Sequence, residues 1–202
     1  MSLSDRSSSS LEPLHTRGTH KVRFQDDSEW DFYLDVPKST IDMSLILPHY
    51  RARHQPVDHR MSMFVAGNGD PIKVKVCRNS PGIKFYLEIL AESSDVTVWL
   101  PSDFKGQIHH TLPTTTKKGK ASYSSGFVNR IMRNAQLNES DFKEHIGQDD
   151  VVVVTSGTVT FKMWDVQTGN PENCHKETLK RFFGCSKKAP ETSIDWDFLL
   201  KD

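Results

Sequence analysis

The stretch Ile72-Lys73-Val74-Lys75-Val76 decides how the rest of the chain reads. Apolar residues hold every second position and lysines the positions between, and side chains of an extended strand point alternately to opposite faces. One face of this segment suits a core and the other water. Before it lies the tight polar turn Gly67-Asn68-Gly69-Asp70, and before that the apolar run Met63-Phe64-Val65-Ala66. The unit is a short strand, a turn and an alternating strand.

The same unit recurs on both sides. Upstream, Phe32-Tyr33-Leu34-Asp35-Val36 turns at Pro37-Lys38-Ser39-Thr40 into Ile41 to Leu47, closed by Pro48. Downstream, Ile83 to Leu90 turns at Glu92-Ser93-Ser94-Asp95 into Val96-Thr97-Val98-Trp99-Leu100, closed by Pro101. A fourth copy runs from Val151 to Val154 through Thr155-Ser156-Gly157 into Thr158 to Trp164. Alternation places Val96, Val98 and Leu100 on one face, and likewise Val159, Phe161 and Met163. β-Branched and aromatic residues favour strands, whereas Gly, Asn, Asp and Ser supply turns.

Helical signals are few. Asn138 to Asp141 suits the cap of one short turn ending before Gly147, and Asn173 to Phe183, ending at Gly184, carries Leu179, Phe182 and Phe183 at helical spacing. Thr111 to Asn134 reads as loop, with a strand near Phe127 to Met132. The expected fold is mostly β: a short β-solenoid-like stack or a two-sheet sandwich with one or two short helices. Whether the turns are hairpins or corners is open at this level.

Residues 1–20 are polar and Ser-rich, with too little apolar surface to offset ordering, and read as a disordered tail. Residues 21–202 read as one β-rich domain, with a C-terminal helix and aromatic tail over about 173–202. Lys plus Arg is 26 and Asp plus Glu is 26, so the chain is formally neutral. That balance argues against a dedicated nucleic-acid binder. The three cysteines, Cys77, Cys174 and Cys185, offer neither a disulfide framework nor Cys-x-x-Cys spacing. No export signal or bilayer-length apolar run is present, so the expected location is cytoplasmic, without membrane insertion.

The segment Val98-Trp99-Leu100-Pro101-Ser102-Asp103-Phe104-Lys105-Gly106 resembles a fungal domain family of unknown function with a V-x-L-P-x-x-F-x-G core. Thr155-Ser156-Gly157-Thr158-Val159 is similar to that family's late T-S-x-G-x-V strand, and Ile194 to Leu200 is similar to its tails. More distantly, the strand–turn pattern is similar to putative-adhesin domains built as β-solenoids, from which the chain departs in lacking an export signal. The resemblance implies a β-rich fold. It carries over no functional residues.

Several groups qualify as candidate sites. The tail residues Ile194, Trp196, Phe198 and Leu199 alternate with Asp195 and Asp197, as in a strand that adds to a sheet edge, so they are the expected contact for a protein partner. The interval 104–138 holds Lys105, Lys117, Lys118, Lys120, Arg130 and Arg133 without an acid, a candidate anion-binding surface. His49, His54 and His59, with His109 and His110 elsewhere, are the candidate metal ligands, although a zinc site needs three or four converging donors. Cys174, His175 and Cys185 are the candidate thiol group, which would need a spatially paired base. Gly67 to Pro71 lacks the Lys-Ser/Thr and helix of a phosphate loop. Trp99 and Phe104 read as core aromatics rather than a contact surface.

No catalytic constellation and no cofactor pattern emerges. The leading expectation is a non-enzymatic β-rich scaffold or binding module. The alternatives are a metal-dependent or thiol enzyme on the His49/His54/His59 or Cys174/His175/Cys185 groups, and an anion-binding surface on 104–138.

Overall fold

The computed structural model describes residues 16–79, 82–111, 121–137, 147–173 and 176–178. Among them are thirteen strands: β1 (Arg17–Lys21), β2 (Phe32–Pro37), β3 (Ile41–Ile46), β4 (Met61–Asn68), β5 (Ile72–Cys77), β6 (Phe85–Ala91), β7 (Val96–Pro101), β8 (Gly106–Thr111), β9 (Ala121–Tyr123), β10 (Ala135–Leu137), β11 (Asp149–Val154), β12 (Val159–Asp165) and β13 (Asn170–Pro171). Two sheets form. The first runs β1-β3-β5-β7-β12-β13, with β9 also on β12, and the second runs β10-β8-β11-β6-β4-β2.

Consecutive strands from β1 to β7 alternate between the sheets, and each pairs in parallel with the strand two places before it. The turns are therefore corners between sheets, not hairpins. An Asn-Gly turn favours a hairpin locally, but β4 and β5 each carry an apolar face that finds a better partner across the core than side by side. Gly69 adopts φ 91° and Lys38 φ 61°, the left-handed conformations that sharp corners require.

The corners stack. The Ile41 amide donates to the Pro71 carbonyl at 3.2 Å, Ile72 to Asp95 at 3.0 Å and Val96 to Thr158 at 2.8 Å. Inward residues line up in register, with Met43 beside Val74, Val74 beside Val98 and Val98 beside Phe161. Opposite them Met63, Leu87 and Val151 form the facing wall, all fully buried in the same core.

Three local features differ from expectation. Strand β1 starts at Arg17, inside the stretch that composition assigns to the tail. Its order comes from a five-residue parallel register with β3, which a polar sequence can make through its backbone. The segment Phe127–Ile131 is a π-helical turn rather than a strand, because Phe127 and Ile131, one turn apart, are both fully buried. The Ser124 hydroxyl accepts from the Phe127 amide at 3.2 Å, at the start of that turn. Strand β9, Ala121–Tyr123, lies inside the stretch 111–134 that reads as loop, and is ordered by its parallel register with β12.

Helical structure at Lys176 to Thr178 begins as expected, with the Asn173 side chain accepting from the Lys176 amide at 3.2 Å. The rest of that helix and the one expected over 138–146 lie outside the described residues. No helix among the described residues is long and apolar enough to cross a membrane.

Candidate functional site

Alternation that fills the core with Ile72, Val74 and Val76 sends Lys73 and Lys75 outward, and the parallel register repeats this on every strand of the first sheet. One outward row reads Arg17, Asp42, Lys73, Thr97, Thr160 and Ser122. The next reads Thr19, Ser44, Lys75, Trp99 and Lys162. Lys21 follows on the edge strand, beside Ile46. Among the described residues, the strand rows of this face thus present Arg17, Lys21, Lys73, Lys75 and Lys162 against one carboxylate, that of Asp42, although the chain as a whole is neutral.

Trp99 stands half-buried at the centre. The Lys75 ammonium lies 5.2 Å from the centre of its ring and the Lys162 ammonium also 5.2 Å, each from a neighbouring strand. The ring quadrupole favours cations over its faces, so the indole holds the two ammoniums in place. Lys75 also donates to the Asp42 carboxylate at 2.7 Å. A groove of about 540 Å³ opens beside them, lined by Arg17, Thr19, Thr40, Ser44, Lys73 and Lys75 among others. Hydroxyls and cations converge there around the Asp42 carboxylate, which Lys75 engages, and the remaining donors suit phosphate, sulfate or carboxylate oxygens.

The second sheet presents an opposite character. Its outward rows carry Asp35, Glu88 and Asp150 with Tyr33, Phe64 and Tyr86. Tyr33 and Phe64 stack at 5.1 Å and 8° between planes, and Trp30 covers Phe64 and Tyr86. Asp150 pairs with Arg60, yet desolvation raises its carboxyl above the ordinary value, the pair opposing the shift.

The other candidate groups are placed apart. His49 contacts Asn79 at 3.3 Å, His54 is exposed, and His59 meets the buried Asp31 carboxylate at 2.7 Å. Asp31 also accepts from the amides of Gln25 and Ser62, so this hub ties the N-terminal segment to the loop before β4. His109 contacts Gln107, whereas His110 turns its ring edge to Phe161 and has its pKa lowered by burial and then by His109. No group of three His, Cys, Asp or Glu side chains among the described residues is arranged to hold a metal ion. The cause is geometric: the loop after β3 spreads the three histidines over different neighbours.

Of the basic interval, Lys105 is exposed before β8, Arg130 is half-buried on the π-helical turn and Arg133 is exposed just after it. Lys117, Lys118 and Lys120 lie outside the described residues. So do Cys174, His175 and Cys185, and the tail residues Ile194, Trp196, Phe198 and Leu199. Phe104 is fully buried. The basic surface that the structure does describe thus draws on strands from Arg17 to Lys162. Its signal in the sequence is the outward letter of each alternating strand, which becomes a patch only once the parallel register is known.

A family model described as a domain of unknown function (DUF7330) matches residues 9–165, more than half of the chain. No curated protein and no solved structure matches.

Proposed function

We propose that this chain, which belongs to the DUF7330 family, is a non-catalytic binding module that takes a linear anionic polymer across the outer face of its first sheet. The observation that carries this reading is the five-to-one excess of cations over carboxylates among the described outward strand residues of this sheet, with Lys75 and Lys162 against Trp99, on a chain of zero formal net charge. Lys75 and Lys162 sit two strands apart, as do Arg17 and Lys73, which spaces the charges about 10 Å apart across the strands. A polymer with regularly spaced acidic groups would meet them in sequence and release its counterions on binding.

The alternating strand path supports a finer view of the fold as a short β-solenoid, in which each in-register row runs unbroken across several coils. The chemistry favours a sulfated or carboxylated polysaccharide over a nucleic acid. Ammonium groups already flank the Trp99 ring, and Trp164 on the same face is half-buried with its indole nitrogen out of solvent, which leaves no open platform for stacked bases. The hydroxyls of Thr19, Ser44, Thr97, Thr160 and Ser122 match a ligand rich in hydroxyl and acidic oxygens.

Retention on a sulfated-dextran matrix in a salt gradient tests this. The native protein is expected to elute late, and a Lys73→Glu/Lys75→Glu/Lys162→Glu variant in the flow-through. A Lys105→Glu variant, altered outside this face, is expected to elute with the native protein. Equal elution of all three would refute the proposal.

A further inference from the structure

Two surfaces left over from this reading are complementary to each other. The first is the loop joining β3 to β4. Tyr50 is 87% exposed at its tip, with Arg51 and Arg53 exposed beside it. The loop is held from within: the Gln55 side chain is buried, accepts from the Ala52 amide at 3.0 Å and points its amide at the Met61 sulfur at 3.6 Å. The His59–Asp31 contact at 2.7 Å pins the loop's far end. An exposed aromatic followed by two exposed arginines on an anchored support is a pre-organised contact element.

The second surface is a groove of about 480 Å³ on the outer face of the second sheet, at the corner end of its strands. Ala66, Leu90 and Val154 form an apolar floor, and Asp35 and Glu92 stand exposed at its rim. No Lys, Arg or His among the described residues lines it. Val154 is itself 39% exposed. An apolar floor with a doubly acidic rim suits an aromatic side chain carried beside cations.

The loop cannot reach this groove in its own chain. It leads into β4 at Met61, and five residue steps along β4 separate that point from Ala66, where the groove begins. That length corresponds to about 17 Å.

We propose that the Tyr50–Arg53 loop of one copy docks into the Asp35/Glu92 groove of the next, giving a head-to-tail assembly. The two surfaces are different patches at opposite ends of the sheet, so a head-to-tail contact leaves one loop and one groove free for further copies, and the assembly extends or closes into a ring. It leaves the basic face of the first sheet uncovered and stands independently of the polyanion reading.

Sedimentation velocity of the full chain over a concentration series tests the proposal. The native protein is expected to pass from monomer to species beyond the dimer as concentration rises. A loop variant (Tyr50→Ala/Arg51→Glu/Arg53→Glu) and a groove variant (Asp35→Lys/Glu92→Lys) should each remain monomeric, because each has lost one half of the contact. Mixed together, they should form a one-to-one dimer and nothing larger, since only one intact loop and one intact groove can meet. All substituted side chains are exposed, and circular dichroism checks that the variants keep their strands. A native protein that stays monomeric throughout would overturn the proposal, as it would if residues of the same chain filled the groove. So would variants that assemble like the native protein, or a mixture that stays monomeric.

Discussion

The guanidinium of Arg78 grips the carboxylate of Asp149 with both residues withdrawn from solvent, at 1% and 0% exposure, across 71 positions of chain. Nη1 donates to the two Asp149 oxygens at 2.8 and 3.0 Å and Nη2 to the second at 3.0 Å. Asp103 takes Nε and Nη2 at 3.2 and 2.9 Å, and the Ile83 carbonyl takes Nη1 at 3.1 Å. Arg78 follows β5 of the first sheet and Asp149 opens β11 of the second, so the pair joins the sheets at the end opposite the stacked corners.

Removing one partner strands a buried charge. Arg78→Met is expected to lower unfolding stability by about 3–5 kcal/mol in urea titration. Arg78→Met/Asp149→Asn should recover much of that loss, since neither charge is then left alone. A double variant no better than the single would show that the pair acts through packing instead.

Gly106 and Gly69 separate two kinds of glycine requirement. Both have positive φ, 154° and 91°. A Cβ at Gly106 would overlap the Asp149 backbone, whereas one at Gly69 meets open space. Gly69→Ala is expected to cost about 1–2 kcal/mol from the left-handed conformation alone. Gly106→Ala should cost far more or prevent recovery of soluble protein, and comparable melting temperatures for the two would contradict this.

The Cys77 thiol is buried, and burial pushes its pKa up from 9.0 to about 11, with Lys75 and a Ser44 hydrogen bond opposing. The reactive species is the thiolate, so Cys77 should resist a disulfide reagent in the folded protein and react promptly in denaturant. The unfolded thiol ionises first, so stability should fall as pH rises from 9.0 towards about 11 and this dependence should vanish in Cys77→Ala.

Two aspartates predict pH effects of opposite sign. The Thr158 hydroxyl and then its amide hold the Asp95 pKa below the ordinary carboxylate value. Its contribution is complete above that ordinary value and is lost as pH falls through the folded one. Asp150 is raised by desolvation, so its ionisation in the unfolded chain lowers stability as pH rises past the ordinary value. Melting curves from acid to neutral pH should show Asp95→Asn with a weakened acid-side loss and Asp150→Asn with the higher-pH decline removed. Unchanged pH profiles in both would refute the assignment.

Alternation made the inward set legible from the chain alone. Ile72, Val74 and Val76, then Val96, Val98 and Leu100, then Val159, Phe161 and Met163 sit where a period of two puts them, because each strand needs one face out of water. The outward lysines were equally visible, but not as a group. Lys75 and Lys162 lie 87 positions apart in sequence and meet only over Trp99.

What the amino-acid order determined by itself was local: which segments extend, where they turn and which side of each is apolar. Tertiary structure alone decided that the corners cross between sheets, that the strands run parallel and that Arg78 finds Asp149. Those outcomes depend on register and pairing between segments remote in sequence, and they are selected by how completely the apolar faces bury one another, a quantity no single segment contains.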